Sequence, residues 1–284
     1  KECQTQIYMS AGEGLWGDPL TAMLVVPECT ITQTIDIDPT RFNMVSLNNI
    51  PKDIGVSSVF SEVPVLTIVD DNGDFYAPNY DINLIGDLQL GEGYNIFLNN
   101  NIQDSTLNHG YSIDIEGLPI DLDTSIVINA NKTNMFAYLP QNCIPTDIIF
   151  EGYEGDVLII KNDIGDFYAP GFGVMTMMDM CPGEGYAAFL ANEDGIDFMY
   201  PELDGLAKTT SPLVKDWSAY KTASTPVHYD HTVTGISHPI ILTSLAGEVK
   251  EGDELAAYAN GEFVGAVRIT DLDLPVAFTA RGGY

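Results

Sequence analysis

Positive charge is scarce in this chain. Its 284 residues carry 11 Lys and Arg against 41 Asp and Glu, a formal net charge of −30. Such a chain repels polyphosphate and anionic lipid unless its cations cluster, and here they are scattered. Nucleic acid is therefore not an expected partner. Long apolar runs are absent as well. No stretch of about 18 apolar residues occurs, so membrane insertion by a helix is not expected. Long helical periodicity is missing, which argues against an α/β enzyme fold. No G-x-S-x-G elbow, H-E-x-x-H helix or phosphate-binding loop is found, and four histidines are spread thinly. Carboxylates are plentiful, but none of their pairs is singled out as a glycosidase dyad. The expectation is a protein that is not an enzyme.

Cysteine is sparse and has no C-x-x-C pair, so zinc-ribbon and thioredoxin-like readings fail. The four are Cys3, Cys29, Cys143 and Cys181. An even count in an acidic, Lys-poor chain suggests two disulfides and an oxidising, extracellular location. The sequence-local pairing joins Cys3 to Cys29 and Cys143 to Cys181, although four cysteines allow three pairings. The chain opens at Lys1 and closes on Arg281-Gly282-Gly283-Tyr284, which reads as a processed start and a cut end.

What is present is a duplication. Val65 to Leu98 reads VLTIVDDNGDFYAPNYDINLIGDLQLGEGYNIFL. Val157 to Leu190, 92 residues later and without a gap, reads VLIIKNDIGDFYAPGFGVMTMMDMCPGEGYAAFL, identical at half of the positions. Upstream, Asn43-Met44-Val45-Ser46 faces Asn134-Met135-Phe136-Ala137 at an offset of 91. The organisation expected is an N-terminal segment over 1–34, a first module over 35–125, a second over 126–206 and a C-terminal sandwich-like module over 207–284. The N-terminal segment could donate a strand or end a preceding module.

Each module reads as β-structure. Val65–Val69 is a β-branched run of strand length. Asn72-Gly73 predicts a type I′ hairpin turn into Phe75–Ala77, and Pro78 then ends the ladder. The second copy keeps the glycine as Gly165. Gly91-Glu92-Gly93 and Gly183-Glu184-Gly185 read as tight turns into last strands. A short helix is expected near Ser57–Phe60. Asn260-Gly261 predicts another type I′ hairpin in the C-terminal part. The fold class expected is mainly β: tandem small β-sandwich or barrel-like modules with at most short helices.

Several residues are candidates for binding. Asp70, Asp71, Asn72 and Asp74, with Asp163 and Asp166 in the second copy, place oxygen ligands at alternate positions beside a glycine, as a Ca²⁺ loop does. The competing reading is a hairpin with solvated carboxylates. His228-Tyr229-Asp230-His231 lacks zinc-ligand spacing and reads as a surface loop. Tyr76 and Tyr168, in the duplicated Phe-Tyr pair, could stack on sugar faces, or lie in the core. Asn131-Lys132-Thr133 fits an N-glycosylation acceptor, and Ser105 lies in a D-S-T acceptor pattern.

The pattern N-M-V-S-L, then G-D-F-Y-A-P, then G-E-G-Y-x-x-F-L, resembles modular repeats of large secreted or cell-surface proteins of Bacteroidota, commonly exported by type IX secretion. Glu251-Gly252-Asp253-Glu254, followed by Asn260-Gly261-Glu262-Phe263-Val264-Gly265, resembles a companion module. The likeness spans roughly residues 35–284. It departs at Phe42 and Thr133, where such repeats often carry Trp. It implies an extracellular structural or adhesive array, part of a fibre, filament or adhesin. Its partners would be itself, its neighbouring modules, or glycans. Two alternatives stand beside it: a carbohydrate-binding region of a secreted polysaccharide-degrading enzyme, and a self-assembling virion or appendage subunit.

Overall fold

The computed structural model describes residues 30–99, 110–201, 225–229, 234–272 and 275–282. Over them the protein is mainly β, built from several antiparallel sheets with two short α-helices. The first module holds β1 (Ile31–Ile37), β2 (Asn43–Ser46), β3 (Asn49–Pro51), α1 (Val56–Val59), β4 (Val65–Val69), β5 (Phe75–Ala77), β6 (Ile82–Asn83), β7 (Gly93–Leu98) and β8 (Tyr111–Pro119). A sheet in the order β2-β7-β4-β5-β6 packs against a second in the order β1-β8-β3.

The reason is visible along β1. Its residues alternate between buried and exposed, placing Ile35 and Ile37 inside with Asp36 outside, as a half-buried strand requires. Ile113 and Ile115 of β8 alternate in the same way, and Asp36 pairs with Ser112 on the outer face. From the other sheet, Ile68, Tyr94, Ile96 and Leu98 close the core, and Val56 and Phe60 seal one end. β1 begins at Ile31, four residues before the boundary expected at 35, because its ladder with β8 runs from Ile31 to Ile37.

The second module repeats this order. It comprises β9 (Ile126–Ile128), β10 (Asn134–Ala137), β11 (Ile144–Pro145), α2 (Thr146–Ile149), β12 (Val157–Lys161), β13 (Phe167–Ala169), β14 (Val174–Met175), β15 (Asp179–Met180), β16 (Gly185–Leu190) and β17 (Ile196–Phe198). Its five-stranded sheet, β10-β16-β12-β13-β14, matches the first strand for strand. β9 pairs with β17 where β1 pairs with β8. The core differs in filling. Phe136, Tyr138, Phe150, Tyr186, Phe198 and Tyr200 stack and edge-pack there, where the first module uses mostly aliphatic side chains.

The two duplicated hairpins depart from the expected turn. Gly73 and Gly165 sit at φ 90° and 89°, but Asn72 is not among the residues with positive φ. Five residues separate Val69 from its partner Phe75, and the loop closes through Asp70 N–H to Asp74 O at 3.0 Å. A two-residue type I′ turn is therefore not formed there. Asn260-Gly261 does form one: both residues have positive φ and Ala259 pairs with Glu262.

The C-terminal part contains β18 (Ser237–Leu242), β19 (Glu254–Ala259), β20 (Glu262–Arg268) and β21 (Val276–Arg281). β18 pairs with β21 and β19 with β20. Val267, Ile269 and Val276 form its core with Leu242, Leu255 and Phe278. Cys143 and Cys181 are joined, tying the segment before β11 to that after β15. Cys3 and Cys29 lie outside the described residues.

Candidate functional site

A cluster of interacting polar groups lies where the two modules meet. Val45 forms an antiparallel bridge with Glu184, and Phe136 forms one with Glu92. Because the copies are offset by 91 and then 92 residues, these two contacts are one contact made twice. Ser46 N–H donates to Gly183 O at 3.2 Å, and its counterpart Ala137 N–H donates to Gly91 O at 2.9 Å. A contact that recurs with its partners exchanged is isologous, so the modules are related by an internal two-fold axis. Modules strung head to tail would not exchange partners in this way.

The expected calcium ligands divide between two tasks at this interface. Asp70 works within its own loop, its Oδ1 accepting from Asn72 N–H and Asp74 N–H at 2.9 Å each. Asn162 does the same for Asp166 N–H at 2.9 Å. Asp71 reaches across instead: its Oδ2 accepts from Met135 N–H at 3.2 Å and pairs with Lys132 Nζ at 3.2 Å. Asn72 Oδ1 also accepts from Lys132 Nζ. Asp163 mirrors Asp71, accepting from Met44 N–H at 3.1 Å and from Arg41 at 2.5 Å. Asp74 is exposed. The oxygens thus point to different partners, and among the described residues no three His, Cys, Asp or Glu side chains gather as a metal cradle.

The duplicated Gly-Glu-Gly-Tyr motif supplies the other half of the interface. Gly93 and Gly185 let the partner module's backbone approach: a Cβ on Gly185 would lie 2.8 Å from Val45 O, and one on Gly93 would lie 3.0 Å from Phe136 O. Tyr94 Oη donates to Glu92 and Tyr186 Oη to Glu184. Each hydroxyl also accepts a backbone N–H, from Gln89 or Cys181, at 2.7 Å. Between the motifs, Met44, Met135 and Ala187 pack together. No signal in the sequence marks these glutamates as interfacial except their repetition.

Loss of solvent raises the pKa of both glutamates above the ordinary 4.5, and the neighbouring Asp71 and Asp163 add to that rise. The folded state therefore holds these protons more tightly than the unfolded chain. Their stabilising contribution is complete below the ordinary glutamate pKa and is lost as pH rises through the raised folded value. The thermal midpoint is expected to fall across the window that opens above the ordinary glutamate pKa of 4.5, and the fall should flatten in a Glu92→Gln/Glu184→Gln variant. Asp38, whose pKa is lowered, titrates below this window. Equal slopes for the two proteins would remove the glutamates as the titrating groups.

The sugar-stacking candidates are placed in or against the core. Tyr168 is 7% exposed and stacks on Phe150, and burial pushes its pKa up to about 12. Its ring is not free for a ligand. Tyr76 is half-buried against the first core. Alternation along the strand sends these rings inward. The exposed duplicated aromatics are instead Tyr80 and Phe172, at equivalent positions on short 3₁₀ turns. Asn131 is exposed at φ 59°, and Ser105 lies outside the described residues. His228 is exposed and pairs with Glu254 at 3.2 Å. His231 lies outside the described residues.

Comparison with known protein families, curated proteins and solved structures returns no match. Among the described residues no helix is long and apolar enough to cross a membrane.

Proposed function

We propose that this chain is a non-enzymatic scaffold from an extracellular or cell-surface protein, a mechanically coupled segment of a fibre, filament or adhesin. The observation that carries this reading is the reciprocal lock between the modules. Two backbone bridges, two cross-module ion pairs and a shared methionine contact join them. A closed isologous contact uses up both copies of its surface. Growth into a fibre would then proceed through other faces. The Cys143–Cys181 disulfide suits an oxidising compartment, and the charge of −30 discourages nonspecific association.

Single-molecule pulling on the full chain tests the reading. The two modules are expected to rupture as one event, with a contour-length gain covering both. Two separate events, each at the force of an isolated small β-sandwich, would count against a load-sharing scaffold.

A second reading, glycan binding, is favoured by the paired exposure of Tyr80 and Phe172. Aromatic faces of this kind stack on sugars. A glycan array probed with the protein and with Tyr80→Ala separates the two: silence across the array ends the second reading and leaves the first intact.

A further inference from the structure

The two modules differ in a ring pair on the outer face of their main sheets. In the first, the rings of Phe42 and Phe97 lie 4.7 Å apart, tilted by 31°. In the second, Phe189 keeps the position of Phe97, but Thr133 replaces Phe42. The missing ring leaves space. A cleft of about 230 Å³ opens there, floored by Ile159, Ala187 and Phe189 and bounded on the far side by Ser237 and Pro239 of β18. Phe189 is 39% exposed.

Lys161 stands in the same cleft, beside Ala187 in the ladder of β12 with β16. Its first-module counterpart is Val69. Its ammonium donates to the carbonyl and hydroxyl of Ser237. Among the described residues it has no carboxylate partner, and no acidic side chain lines the cleft in a chain that carries 41 of them. An amine taken out of water without a counter-ion favours an anion.

We propose that this cleft binds a small aromatic carboxylate, its ring on Phe189 where the first module seats Phe42 and its carboxylate on Lys161 Nζ. The first module shows what such a space accepts: a flat ring against a phenylalanine. Lys161 adds the polar requirement, and Thr133 leaves the entrance open. Burial lowers the pKa of Lys161, and a bound anion would restore it. This site borders the module interface through Ala187, but its argument does not depend on the scaffold reading.

Benzoate is the probe, titrated into the full chain by calorimetry and by chemical-shift changes. Saturable binding at one site is expected. Benzyl alcohol, which keeps the ring and lacks the charge, should bind at least about tenfold more weakly, as should benzoate to Lys161→Met; tenfold corresponds to about 1.4 kcal/mol. Thr133→Phe rebuilds the ring pair of the first module and should abolish binding while the protein stays folded. Binding of benzyl alcohol as tight as benzoate, undiminished binding to Thr133→Phe, or no saturable binding would each overturn the proposal. Should Lys161→Met fail to fold, the benzyl alcohol and Thr133→Phe arms decide it.

Discussion

Replacing Gly93 and Gly185 together by alanine is expected to split a single unfolding transition into two and to expand the folded chain. Neither glycine adopts positive φ, so backbone conformation is not at issue. The obstacle is the facing module. The added methyl groups would lie 2.8 Å from Val45 O and 3.0 Å from Phe136 O. Both obstacles are backbone oxygens in strands, which cannot step aside as a flexible side chain can. Overpacking of this kind costs about 1–3 kcal/mol at each site, and both costs fall on one interface. The bridges at Val45 and Phe136, the pair Arg41–Asp163 and the pair Lys132–Asp71 all depend on the same approach. Gly73→Ala is the control. Gly73 has φ 90°, and a methyl group added there would meet nothing within 4 Å, so its cost of about 1 kcal/mol stays in the hairpin. Scanning calorimetry with a hydrodynamic radius measures both effects. A single transition with an unchanged midpoint in the double variant would show that the modules are not coupled through these glycines.

Opening the Cys143–Cys181 disulfide is expected to lower stability by about 4 kcal/mol, the chain-entropy cost for a closed loop of this length. The two cysteines are 38 residues apart, and the loop between them contains β11, α2, β12, β13, β14 and β15. The first module has no counterpart, since Asn49 and Gln89 occupy the corresponding places. For a unit of this size the thermal midpoint should fall on the order of 10 °C. The test compares the native protein with Cys143→Ser/Cys181→Ser, which avoids residual reductant. A change of less than about 1 kcal/mol would overturn the entropic account, because the unfolded chain would then keep the two segments close without the bond.

Much of the fold was legible because its causes are local. Val65–Val69 is a strand for the reason its β-branched composition suggests, and Asn260-Gly261 turns as that dipeptide should. Yet Asn72-Gly73, the same dipeptide, does not make the same turn. The pairing of Val69 with Phe75 leaves a five-residue loop, and Asp70 closes it with its own carboxylate. Strand register, which is a tertiary choice, overrode the dipeptide preference.

The site was less legible than the fold. Asp71 reads as one of several acidic residues in a turn, but its partners Lys132 and Met135 are more than 60 residues away. Tyr168 reads equally well as a platform or a core ring, and only the position of Phe150 decides between them. Thr133 reads as a missing aromatic, but not as an opening, until β18 is seen to border the gap without filling it.

The sequence by itself determined the mainly β class, the duplication, the β-branched strand Val65–Val69 and the Asn260-Gly261 turn. Side-chain period, β-branching and turn glycines act over a few residues, so one copy suffices to express them. Only the tertiary structure decided that the copies face each other about a two-fold axis. That choice depends on how the surface of one module fits the other. It turned Asp71 and Asp163 from turn carboxylates into cross-module anchors, because the nearest donors to each lie on the opposite module.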